Sequence, residues 1–145
     1  VIDRTNGSLF MRLGVLCDHA LMGQDGKLSL IGIFDHIGVI HVPAQHPRFF
    51  VVSVMQGHAT TNKVDMELAA PDGRVLMHES IGIDPEMIAQ GNGNLIAEVT
   101  MLPLEQVGRY EFRMLSEGRA LGVIPLNVML VETPQQAPAQ ALPRA

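Results

Sequence analysis

Apolar and polar positions alternate along most of this chain with a period of two, in runs of strand length separated by turn signals, which predicts an all-β fold. The clearest run is Asn62 to Ala70, where Val64, Met66, Leu68 and Ala70 face one way and Asp65 and Glu67 the other. Pro71-Asp72-Gly73 then supplies proline and glycine where a tight turn wants them, so the chain returns as a hairpin into Val75 to Ile83. A second strict alternation, Gly108 to Met114, points Tyr110, Phe112 and Met114 inward between charged neighbours. Ser116-Glu117-Gly118-Arg119 turns it into Leu121 to Val131. Nearer the start, Arg12 to Ala20 places Leu13, Val15 and Cys17 on one face. Gln24-Asp25-Gly26-Lys27 leads it into Leu28 to Ile40, long for one strand, with Gly32 and Gly38 as places for a bulge or bend. Pro43 and Pro47 close that run, Phe49 to Gln56 reads as a central strand apolar on both faces, and Leu95 to Leu102 as a further strand. One stretch reads as a helix: Asp84 caps it, Pro85 opens it and Gly91 ends it. The pattern predicts a two-sheet antiparallel β-sandwich of about eight strands with one short connecting helix.

The 145 residues suffice for one domain with one core. Hydrophobic residues make up 47% and charged residues only 17%, which excludes a disordered chain and leaves the surface short of charge. Val1 to Phe10 carries no periodicity and reads as an N-terminal extension, Met11 to Glu132 as the sandwich domain, and residues 133–145, rich in Pro, Gln and Ala, as a disordered tail. A single cysteine and the lack of a signal-peptide pattern predict a cytoplasmic location. No apolar run approaches the roughly 20 residues of a membrane span. A net charge of −5 opposes nucleic-acid binding, which needs a basic excess.

Six histidines raise the question of metal, and Asp18-His19 with Asp35-His36 are the pairs to consider. Adjacent residues on a strand point to opposite faces, so each pair can lend one member to a shared site. Neither structural-zinc spacing nor His-Glu-x-x-His occurs. A metal-binding module or small metal-dependent enzyme using those pairs is the alternative reading, and hydrogen-bonded polar residues at strand ends the plainer one. Cys17 follows the apolar Val15-Leu16 on a strand and reads as a small buried hydrophobe. Gly91-Asn92-Gly93-Asn94 lacks the Lys and Ser/Thr of a phosphate loop. With no Trp and 4% aromatic residues, the chain offers few rings for stacking sugars or bases. No catalytic, cofactor or metal residue is assigned, and a small-ligand pocket between the sheets is left open.

Leu16-Cys17-Asp18, Asp25-Gly26-Lys27-Leu28, Ile31-Gly32-Ile33-Phe34-Asp35, His46-Pro47 and Gly108-Arg109-Tyr110-Glu111-Phe112 together resemble an uncharacterised bacterial domain family of about 120 residues. The resemblance spans Met11 to Glu132, implies a β-sandwich and implies no catalytic residue.

Leu28 to Ile40, Phe49 to Val54 and Leu121 to Val131 are apolar on both faces, where a sandwich strand needs only one. Burying one such side chain is worth about 1.5–3 kcal/mol, so a covering partner is expected. Only two lysines, Lys27 and Lys63, fit an interface composition. The sequence therefore predicts a non-catalytic protein-interaction module, an accessory or assembly-stabilising subunit of a larger complex. That complex is a soluble assembly, a membrane complex docked from its soluble side, or a homo-oligomer. The expected interface residues are Ile31, Ile33, Ile37, Ile124, Leu126 and Val128.

Overall fold

The computed structural model describes residues 7–133. Its strands in chain order are β1 (Phe10–Met22), β2 (Leu28–Phe34), β3 (His36–Val39), β4 (Ala44–Gln56), β5 (Lys63–Ala69), β6 (Val75–Gly82), β7 (Asn94–Leu104), β8 (Gly108–Ser116) and β9 (Arg119–Leu130). One helix, α1 (Pro85–Ala89), joins β6 to β7. The strands form two sheets, ordered β2-β1-β4-β7 and β3-β9-β8-β5-β6. The fold is an all-β sandwich.

Local chemistry explains most boundaries. In α1, Asp84 accepts a hydrogen bond from the Glu86 amide at 3.0 Å, and Pro85 opens the first turn. At the β5–β6 turn Asp72 accepts from the Arg74 amide at 3.0 Å, and the amide of Ala70 donates to the Arg74 carbonyl at 2.8 Å. Between β8 and β9, Glu117 and Gly118 both adopt positive φ, 50° and 79°, the twist a two-residue hairpin demands.

Three boundaries differ from the sequence reading. Leu28 to Ile40 is two strands in two sheets: the chain leaves the four-stranded sheet at Asp35 and enters the other as β3. There it pairs parallel with β9, while every other pairing between these named strands is antiparallel. β4 begins at Ala44, before Pro47. Its pairing with β1 reaches only Cys17↔Phe50, so at Pro47 the strand is bonded to β7 alone and the missing amide is tolerated. Leu9, assigned to the extension, is 1% exposed within the core, and Ser8 bridges His58, so the fold starts before Met11. Residues 1–6 of the extension and 134–145 of the tail lie outside the described residues.

The core fills the space between the sheets. Phe49 of β4 meets Phe112 of β8 edge-on, centroids 5.9 Å apart, and Leu16, Val51, Leu68, Tyr110, Leu121 and Leu126 are buried around them. The Tyr110 hydroxyl donates to the Gln106 carbonyl at 2.7 Å, giving the ring's polar end a partner.

Candidate functional site

Residues paired across antiparallel strands share a face, so the registers define what each sheet shows to the outside. On the four-stranded sheet, one row runs Ile33, Cys17, Phe50, Glu98 from β2 to β7. The next row holds Val15, Val52 and Ile96, and the one beyond it Leu13, Val54 and Asn94. On the other side of the first row stand Ile31 and His19. The face is apolar over three rows. Val52, Val54 and Cys17 form its buried floor, although none belongs to the core between the sheets. Ile31 and Ile33 rise from it at 55% and 60% exposure, with Leu13 and Ile96 also exposed. Glu98 is the one carboxylate that the register places on this face, and it is ion-paired with Arg48, whose guanidinium stacks 5.1 Å from the Phe50 ring.

The outer face of the five-stranded sheet has the opposite character. Its rows cross Val123, Arg113, Glu67 and His78, then Pro125, Glu111 and Ala69. Glu111 accepts from Arg109 at 3.2 Å and Arg113 at 3.1 Å, and these bonds, Arg113's first, hold its carboxyl below the usual range. Asp65 accepts from Ser80 at 2.7 Å. Ion pairs run across the middle of this face, which also carries the exposed Val75, Val123 and Met129.

The six expected interface residues divide between surface and core. Ile31 and Ile33 are exposed on β2. Ile37, Ile124, Leu126 and Val128 are instead buried at 7%, 2%, 0% and 3%, a correction with a simple cause. On β9 both alternating sets are apolar, and packing Ile124 and Leu126 opposite Phe112 and Tyr110 turns Val123 and Met129 outward. Crossing to the second sheet likewise sends Ile37 inward. Ile33 and Ile124 nevertheless meet in one cleft of about 410 Å³ between the sheet edges, with Val15, Asp35 and His36 also lining it. Leu13, Val15, Phe50 and Ile96 are not among the six, although Leu13, Val15 and Cys17 sharing one face of β1 and Phe49 to Val54 being apolar on both faces were signals for the first three.

The Asp-His pairs do not converge. Asp35 bonds its own neighbour His36 at 3.0 Å, and Asp18 lies over Gly32, whose lack of a Cβ leaves room for that carboxylate. Among the described residues, no three His, Cys, Asp or Glu side chains come together as metal ligands. Burial, with help from Asp18, pushes the Cys17 thiol up, so it is a neutral thiol at pH 7. No helix among the described residues is long and apolar enough to cross a membrane.

Two solved structures are similar to this chain at low sequence identity. An immunoglobulin-like protein from Pseudomonas aeruginosa is 9% identical with a TM-score of 0.45, covering 86% of this chain and 98% of its own. A CARDB domain from Pyrococcus furiosus, solved with two metal ions, is 12% identical with a TM-score of 0.43, covering 84% and 96%. No curated protein matches the sequence. A family profile matches residues 12–129, and the chain therefore belongs to the family of unknown function DUF6941.

Proposed function

We propose that this domain is a non-catalytic protein-interaction module, an accessory or assembly-stabilising subunit held in a larger complex through the outer face of its four-stranded sheet. The observation that supports this is the contrast between the two outer faces. One is neutralised by ion pairs, and the other sets Ile31, Ile33, Leu13 and Ile96 over a buried floor of Val52, Val54 and Cys17. A continuous apolar patch rimmed by polar groups is the kind of surface that a partner covers. The polar rim is balanced in charge: Arg48 is ion-paired with Glu98, and the His19 ring stands beside Ile31. The occupant is another subunit, in a soluble or a membrane-bound assembly, or a second copy of this chain.

Gentle native purification of the tagged chain from its source organism, beside Ile31→Glu/Ile33→Glu, tests the reading. The expected result is a stoichiometric companion, or a dimer, retained by the parent and lost from a variant of unchanged melting temperature. Retention by the folded variant would overturn it.

A further inference from the structure

Nearly every described cation is already neutralised or hydrogen-bonded. Lys27 pairs with Asp25, Lys63 with Asp65, Arg48 with Glu98, Arg74 with Asp72, and Arg109 and Arg113 with Glu111, while Arg119 donates to the Leu9 carbonyl at 3.0 Å. Arg12 alone among the described lysines and arginines has no such partner.

Its position is structurally specified. β1 pairs Met11 with Met55 and Leu13 with Val54, so Arg12 is the extra residue of a β-bulge, opposite no counterpart of its own. A bulge re-aims the side chain it carries and is over-represented beside binding sites. Here it directs Arg12 to a cleft of about 630 Å³ between the end of the four-stranded sheet and α1, within the roughly 300–1,000 Å³ typical of small-molecule sites. Phe10, Val54 and Ile88 line it with apolar surface, and Gln56 and His58 add polar groups. Among the described residues no carboxylate lines it, on a chain with fifteen acidic residues against ten basic ones. The wall beside His58 is backbone: its amide donates to the Gly7 carbonyl at 2.7 Å. The last carbonyls of α1 do not oppose an anion, because those of Glu86, Met87 and Ile88 accept from the amides of Gln90, Asn92 and Gly91.

We propose that this cleft binds a small organic acid, with its carboxylate on the Arg12 guanidinium and its apolar body against Phe10, Val54 and Ile88. Arg is suited to the role because its planar donor fork matches a carboxylate. His58 offers a ring N–H as a second donor. The site is separate from the apolar patch except at Val54, and it stands whether or not a protein partner covers that patch.

The test is a heteronuclear NMR titration of the full chain with phenylacetate, using phenylacetamide as the neutral isostere. The expected result is saturable binding of the acid at about millimolar affinity, with the largest shifts at Arg12, Gln56, His58 and Ile88. The amide and Arg12→Gln should each weaken binding by about tenfold or more, as loss of a charge-assisted pair predicts. Ala89→Trp, which fills the cleft while retaining Arg12, should abolish it, and gives an answer even where the charge variant alters folding. Equal affinity for acid and amide, no loss on Arg12→Gln, shifts centred elsewhere, or no saturable binding would each overturn the proposal.

Discussion

His46 stands half-buried between two rings, 5.9 Å from the Phe34 centroid and 5.4 Å from that of Phe49. On β7, Met101 takes a positive φ of 51° between Thr100 and Leu102, the partners of Arg48 and His46. Burial pushes the imidazole pKa down, and the Asp18 carboxylate offsets only part of that. An unfolded imidazole titrates near about pH 6.5, so as pH falls the unfolded chain takes up the proton first. The stabilisation is complete above that pH and is lost as pH falls through the lower folded-state value. Urea midpoints should therefore drop between pH 7.5 and pH 5 in the parent and drop less in His46→Phe. Asp72 and Glu111, also held low, act at lower pH, in the carboxylate range, and leave this comparison clear. Equal slopes for parent and variant would show that His46 is not the group responsible.

At the scale of the strand, the informative case is β9, where both alternating sets are hydrophobic and only the partner strand decides which goes inward. Ile124, opposite Phe112 and buried, should lose about 2–5 kcal/mol on truncation to Ala, the combined cost of lost burial and a cavity. Its neighbour Val123, 42% exposed, should change stability by less than about 0.5 kcal/mol on replacement by Thr, which keeps the β-branch. Chemical denaturation of the two variants checks the assignment; similar losses at both would mean that the outward face is covered. This strand also shows why the fold was legible in the sequence and the site only partly. Val64, Met66 and Leu68 alternate with acids, and Asp84-Pro85 or Pro71-Asp72-Gly73 carry their own local geometry, so sandwich, hairpin and helix could be read from neighbouring residues. Where the period-two signal is degenerate, as in Leu28 to Ile40 and Leu121 to Val131, facing is set by contacts distant in sequence. Four of the six expected interface residues consequently face inward. Ile31 and Ile33 remained outside because β2 is an edge strand of the first sheet and the chain does not cross to the second until Asp35. Arg12 could not be recognised from sequence, since its role depends on a one-residue mismatch with β4 that no local pattern records.

For the molecule as a whole, the two sheets divide the labour of meeting water. Glu111, Arg109, Arg113 and Asp65 make the five-stranded sheet a conventional solvent face, while the four-stranded sheet presents aliphatic side chains on a floor already dry. Exposed apolar residues exist on both, but Val123 is bordered by Arg113 in its row, whereas Ile33 adjoins Cys17 and Phe50. Contiguity, more than the amount of apolar surface, separates the faces, because a neutral apolar probe needs several adjoining side chains to displace enough water. Nile red, which carries no charge to engage Arg12, should fluoresce with the native protein at neutral pH. Ile31→Lys/Ile33→Lys should remove most of that signal without lowering the melting temperature. Val123→Lys/Met129→Lys, an equal number of substitutions on the opposite sheet, should leave it nearly intact. A loss shared equally by both variants would mean that dye binding follows total exposed area, and the four-stranded sheet would forfeit its claim to be the docking side.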